Sequence, residues 1–211
     1  MVVVYTEANG QLERSDTRKE DIFRAASSLF SIRGYQATSV RDIARELDLQ
    51  GGSLYSHVAS KEDMLWEIVS RAADAFLTTV QPIAASREPA PARLTNMIAA
   101  HIEIVVARLS QATVFFQDWR HLGDDRRNEI IRRRDAYEAL YRQVIADGIA
   151  AGDLRNIDPK LAAIALLSAL NGLPGWYRSD GPWSNSDLAS GYADLLLAGL
   201  LRGPSGDEKA T

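Results

Sequence analysis

From Asp21 onward, the apolar residues of this 211-residue chain recur at spacings of three and four almost without interruption. That spacing stacks side chains on one face of a helix, at about 3.6 residues per turn, whereas a half-buried strand needs strict alternation. Beyond Met1 to Tyr5 there is almost no strand signature, so the pattern predicts an all-α fold. Gly, Asn and Pro divide the pattern into about nine helices. With 46% apolar residues the chain has enough to bury a sizeable core.

The first helix is expected over about 17–33, with Ile22, Ala25, Ala26, Leu29 and Phe30 as its stripe, Asp16 as cap and Gly34 as stop. A short second helix follows over about 40–47, capped by Thr38 or Ser39, with Val40, Ile43, Ala44 and Leu47 facing inward. After Asp48-Leu49-Gln50 comes a third near 52–58, whose apolar positions are Leu54, Tyr55 and Val58. Two short helices joined by a tight turn suggest a helix-turn-helix. Ser60-Lys61-Glu62-Asp63 reads as an N-cap with an acid at N3, opening a long helix to about Ala84 that Pro82 and the loop SREPAP bring to an end. Later helices are expected near 90–109, 112–122, 124–151, 158–173 and 186–202, with a bend where Asn171, Gly172, Pro174 and Gly175 follow one another. The division expected is a disordered extension over 1–13, a head over 14–66, a body over 67–202 and a flexible tail over 203–211.

Composition removes several classes of function. The chain has no Cys, so it has no disulfides, thiolate metal sites or Cys nucleophile. No apolar run approaches the ~18 residues of a membrane span, and Met1 to Tyr5 is too short for a signal peptide, so a soluble cytoplasmic protein is expected. A formal charge of -4 and a pI of about 5.4 argue against a protein that coats nucleic acid through bulk charge. The first 66 residues hold 8 Lys/Arg against 10 Asp/Glu, so any grip on DNA depends on where the cations sit. His101, His121 and Asp118 are the only close imidazole and carboxylate set, and no nucleophile-base pair stands out. A helical metal-dependent enzyme is therefore the weaker alternative, and no cofactor is called for. A DNA-binding structural protein without an effector is the other alternative, and a fully packed body would favour it.

A recognition helix enters the major groove by its N-terminal residues, which must be small, while flanking residues hold phosphates. Gly51, Gly52 and Ser53 open the third helix without bulk, and Ser53 offers a hydroxyl. Tyr55 and His57 project as donors, and Lys61 starts the next helix where a phosphate can meet both its charge and exposed N–H groups. Thr38, Ser39 and Arg41 are placed to do the same on the second helix.

Residues 17–66 resemble the DNA-binding head of the TetR family of repressors: RGYQAT, SVRDIAREL and GGSLYSHVASKEDML occur in order and with that family's spacing. The resemblance implies phosphate contacts at Thr38, Ser39, Tyr55, His57 and Lys61, and base contacts near Arg41, Gly51, Gly52, Ser53 and Ser56. Gly51 stands where many relatives have Lys, and Val58 where an aromatic residue is usual.

The last two helices are apolar nearly all round, Leu161 to Leu173 and Leu195 to Leu201, which calls for cover on both sides. One side is the chain's own core and the other a twin subunit, giving an isologous homodimer that reads a pseudo-palindromic operator. Polar and aromatic groups on inward faces mark an effector site: His101 on the stripe Leu94, Met97, Ile98, Ile102 and Val105, then Phe115, Phe116 and Trp119 before Arg120. Arg134 falls on the face of Ile130, Tyr137, Tyr141 and Val144. A buried cation needs a partner, so either His101 and Arg134 pair with Asp118 or Glu103, or Arg134 meets an anionic ligand. The basic runs at Arg126 and Arg132 are either a solvated face or a seat for the phosphates of a nucleotide-bearing effector. The segments FFQDWRHL and GWYRSDGPWSNSDLASGY resemble the branch of the family that responds to acyl-coenzyme A thioesters and controls fatty-acid or steroid catabolism; Asn171, Trp176 and Tyr177 are also placed in the expected effector site. The connector helix over 61–84 is expected to carry the effector's influence to the head.

Overall fold

The computed structural model describes residues 4–49 and 51–201. They form nine α-helices: α1 (Val4–Arg33), α2 (Val40–Glu46), α3 (Gly51–Tyr55), α4 (Lys61–Ala84), α5 (Ala90–Ala107), α6 (Leu109–Gln117), α7 (Asp124–Ala151), α8 (Pro159–Asn171) and α9 (Asn185–Ala198). Short 3-10 turns cover Trp119–His121 and Leu173–Gly175. The described residues contain no strand beyond an isolated bridge between Leu154 and Leu201. No single helix among them is long and apolar enough to cross a membrane.

Helix ends follow local chemistry. Gly34 adopts a left-handed φ of 84°, and its N–H donates to Phe30 O at 2.8 Å, closing α1 as its sequence position predicts. Ser39, rather than Thr38, caps α2 in a capping box with Asp42, and Ser60 Oγ receives the N–H of Asp63 at 3.0 Å to open α4. Several boundaries differ from expectation: α3 ends at Tyr55 rather than near 58, and α9 at Ala198 rather than near 202. The backbone of α1 starts at Val4, so Asp16 lies inside the helix and the expected disordered extension over 1–13 is helical from residue 4; the segment TEANGQLERS has no proline and one glycine to interrupt it. The sixth helix ends at Gln117 and passes into the 3-10 turn, with Asp118 buried at the junction. The bend expected after α8 is present, as the 3-10 turn Leu173–Gly175. Residues 1–3 and the tail 203–211 lie outside the described residues.

The chain divides into two compact units. The first comprises Met1–Ala72 with Ser110–Ile130, and its core is Ile22, Ala26, Phe30, Ile43, Leu54, Met64, Leu65 and Val114, each at most 1% exposed. α6 and the start of α7 cluster with the segment expected as the head, where Gly123 N–H donates to Glu62 Oε1 at 3.1 Å. The second unit comprises Ala73–Leu109 with Ile131–Thr211. In it α5 runs along α9, and Leu94, Met97, Ile98, Ile102, Tyr141 and Leu170 are fully buried. Arg93 on α5 donates to Ala84 O at 3.0 Å and to Asp147 at 3.1 Å, satisfying the end of α4 just past Pro82.

Candidate DNA-binding head and effector region

The turn between α2 and α3 is built by Asp48, whose φ of 52° is left-handed, with Leu49 N–H donating to Ala44 O at 2.8 Å and Asp48 N–H to Arg45 O at 3.2 Å. This is a helix C-cap in which a short polar side chain takes the place usual for glycine. Leu54 and Val58 anchor α3 in the core, whereas Tyr55 is 56% exposed and Gly52 and Ser56 are also on the surface. A Cβ at Gly52 would meet nothing within 4 Å, so that position presents open space. Gly51 and Ser53 belong to the same helical backbone; their side chains lie outside the described ones. Val58, in place of the usual aromatic residue, is buried.

The remaining head residues divide by exposure. Arg41 and Ser39 are exposed, and His57 is half-buried beside α3. Thr38 is 1% exposed, and its single hydroxyl hydrogen is shared between Gly34 O at 3.0 Å and Leu29 O at 3.3 Å. A hydroxyl enclosed in this way staples the end of α1 to the start of α2. Lys61 is half-buried, with Nζ 4.1 Å from the centroid of the Tyr35 ring. Desolvation lowers its pKa, and the nearby Asp118 opposes that shift. Tyr35 also stacks on His121 at 5.4 Å, and Asp118 accepts the Tyr35 backbone N–H. These contacts of Asp118 and His121 escaped sequence reasoning, because nothing local in FFQDWRHL points to a loop some eighty residues upstream.

The residues expected to hold an effector fall into both units. In the first, Phe115 is buried against Phe116 at 5.1 Å, and the exposed Arg120 lies over the half-buried Trp119 ring at 4.8 Å. In the second, His101 Nδ1 is 3.0 Å from Tyr137 Oη, which is 3.3 Å from Tyr141 Oη, and Tyr141 donates to Met97 O at 3.1 Å. Burial pushes the His101 pKa down to about 3, so its ring is neutral. His101 thus meets the Tyr137 hydroxyl, and Glu103, one of the two acids expected to pair with it, is exposed. Arg134 is half-buried on the Tyr137 face, Asn171 and Tyr177 are half-buried, and Trp176 is 46% exposed beside Trp183 and Tyr192. Arg126 pairs with Asp63 and Glu62. Among the described residues no His, Cys, Asp and Glu group is arranged to hold a metal. A groove of about 450 Å³ opens between α5 and α9, lined by small residues such as Thr95, Ala99, Ala193 and Asp194; none of the expected effector residues lines it.

Residues 22–68 match the family described as bacterial regulatory proteins, tetR family, and residues 87–200 match the tetracyclin repressor-like C-terminal domain. The chain belongs to the TetR family. As a TetR-family member it is a DNA-binding transcriptional regulator and not an enzyme. It is 30% identical to the HTH-type transcriptional repressor KstR2 of Rhodococcus jostii over 185 residues, 87% of this chain and 91% of that protein. The structure of the ketosteroid transcriptional regulator KstR2 of Mycobacterium tuberculosis superposes with a TM-score of 0.84 at 26% identity, covering 88% of this chain and 96% of that one. AibR, solved in complex with isovaleryl coenzyme A and operator DNA, shares the fold with a TM-score of 0.76 at 23% identity, covering 84% of this chain and 97% of that one.

Proposed function

We propose that this TetR-family regulator is a cytoplasmic homodimeric repressor that grips a pseudo-palindromic operator and lets go when it binds an acyl-coenzyme A thioester. The observation that carries DNA recognition is the opposition across α3 and the turn after it: Leu54 and Val58 are held in the core while Gly52, Tyr55 and Ser56 face solvent. Small residues at the start of the helix admit base edges, and Tyr55, His57 and Lys61, with Ser39 and Arg41 on α2, hold the flanking phosphates. Dimer formation is supported by apolar side chains left on the surface of the last two long helices: Leu161 at 62% and Ile164 at 46% on α8, and Leu195 at 79% on α9. A second copy of the same surface covers them by two-fold symmetry.

The thioester reading draws on the AibR complex and on the body segments FFQDWRHL and GWYRSDGPWSNSDLASGY. Within the second unit, Arg134 and Trp176 remain the residues proposed to meet it. The effector acts by preferring one spacing of the two heads; a preference of about 100-fold corresponds to about 2.7 kcal/mol of coupling. A duplex selected from random DNA by the purified protein supplies the operator. A panel of acyl-coenzyme A thioesters and their free acids is then titrated against the complex. Release by thioesters alone is the expected result. Release by free acids, or by none of them, removes the thioester and leaves the DNA reading intact.

A further inference from the structure

Lys61 opens α4 with its side chain over aromatic rings. Its Nζ lies 4.1 Å from the centroid of the Tyr35 ring and 6.0 Å from that of Phe30. Among the described residues no carboxylate comes within ion-pair distance of this ammonium, so the rings are its close contacts. A cation within about 6 Å of a ring centroid is drawn to the negative face of the ring. The Tyr35 ring is itself held in place. Phe30, 1% exposed, meets it edge to face at 5.2 Å and 72°, and the His121 imidazole stacks on it at 5.4 Å and 18°. Gln36 Nε2 lies 3.3 Å from His121 Nδ1 and steadies the imidazole in turn. The lysine is thus seated on a surface built by the end of α1, the loop after it and the 3-10 turn Trp119–His121, all within the first unit.

We propose that Tyr35 is a positioning residue for DNA binding, whose ring presents the Lys61 ammonium to a backbone phosphate. The inference rests on the reading of Lys61 as a phosphate contact and names the group that makes that contact effective. A lysine side chain is long and loses rotamer freedom when a partner immobilises it. Seated on a ring, it has given up part of that freedom before DNA arrives, so less is lost on binding. The ring is neutral and attracts the cation through its quadrupole, which leaves the full positive charge in place. It covers one side of the ammonium, whose three N–H donors rotate to serve a phosphate on another. Ring and phosphate therefore hold the lysine together rather than compete for it.

The test changes the charge on the ring face without changing the space the ring fills. Tyr35→Phe is the reference, and a trifluorinated phenylalanine placed at position 35 keeps nearly the same shape while drawing electrons from the face. Both are made in the full-length protein and in its Lys61→Met variant. Binding to a fluorescein-labelled operator duplex, selected from random DNA, is followed by anisotropy over a series of salt concentrations. K61M is expected to weaken binding and to reduce the salt slope by about one unit for each phosphate that Lys61 neutralises. With Lys61 present, the fluorinated protein is expected to bind roughly two- to fivefold more weakly than Y35F for each head engaged, the worth of one partly exposed cation–π contact. In the K61M background the two rings should give equal affinity. Equal affinity in both backgrounds means that Tyr35 only fills space, and overturns the proposal. A weakening that persists undiminished in K61M bypasses the lysine and overturns it too, as does tighter binding by the fluorinated protein, the sign of a ring that competes with phosphate. If K61M itself binds as wild type does, the phosphate reading of Lys61 fails and the proposal falls with it, a result distinct from failure of the ring series alone.

Discussion

The Arg126 guanidinium, in the first turns of α7, meets the Asp63 carboxylate near the start of α4 at 2.5 Å, across 63 residues of sequence. Asp63 is at the same time the acid of the α4 N-cap: the Ser60 hydroxyl donates to it at 2.7 Å, and that bond, ahead of Arg126, holds its pKa below the usual carboxylate range. One carboxylate therefore serves a local cap and a distant cation. Both partners are about one-third exposed, so solvent screens the pair and its removal costs about 1 kcal/mol or less. Arg126→Met should lower the melting temperature by no more than about 4 °C. The difference should shrink in high salt. A drop several times larger, unaffected by salt, would show that the pair carries the unit's stability.

Thr38 and Ser39 are adjacent and should respond differently. The Thr38 hydroxyl is enclosed and bonded to two carbonyls, so Thr38→Val is expected to cost about 1 to 2 kcal/mol in urea unfolding. It should leave the DNA affinity of the folded protein unchanged. Ser39→Ala removes the exposed cap of α2 and should cost about 1 kcal/mol. A loss of DNA affinity by folded T38V would return Thr38 to the phosphate-binding set.

His101 makes stability depend on pH in a definite direction. Its folded pKa is about 3, below the ordinary value of 6.5, because burial penalises the charged ring. Between those values the unfolded chain holds a proton that the folded chain does not, so acid favours unfolding. The contribution is fully present above about pH 6.5 and is lost as pH falls toward about 3, by at most about 1.4 kcal/mol per unit. His101→Gln keeps a donor for Tyr137 and removes the titration, so its stability should fall less steeply than wild type between ~pH 6.5 and ~pH 4 in urea unfolding. Identical slopes in the two proteins would contradict the assignment.

Leu195 is 79% exposed, so a charged replacement does not disturb the core. Leu195→Glu is expected to leave the circular dichroism spectrum unchanged and to shift sedimentation from dimer to monomer, because two like charges would face each other across a two-fold interface. A variant that remains dimeric would move the interface off this face of α9.

Much of the fold lies in short-range chemistry, and short-range chemistry is written in spacing. Gly34 at the end of α1, Ser60 and Asp63 at the start of α4, the span of α7 and the bend near Pro174 each involve partners a few residues apart. The helix-turn-helix is legible for the same reason, since Leu54 and Val58 inward with Tyr55 outward is a local pattern. What spacing could not decide is which distant groups meet. Thr38 and Ser39 have similar hydroxyls, and only the packing of α1 against α2 made one a staple and the other a cap. His101 looked like a cation in need of an acid until burial made it a neutral partner for Tyr137, 36 residues away. The end of α6 clusters with the first unit, where Gln36 and His121, 85 residues apart, come within 3.3 Å. A helix's own period carries no information about such pairs, because they depend on the path of the whole chain and on which groups that path removes from water.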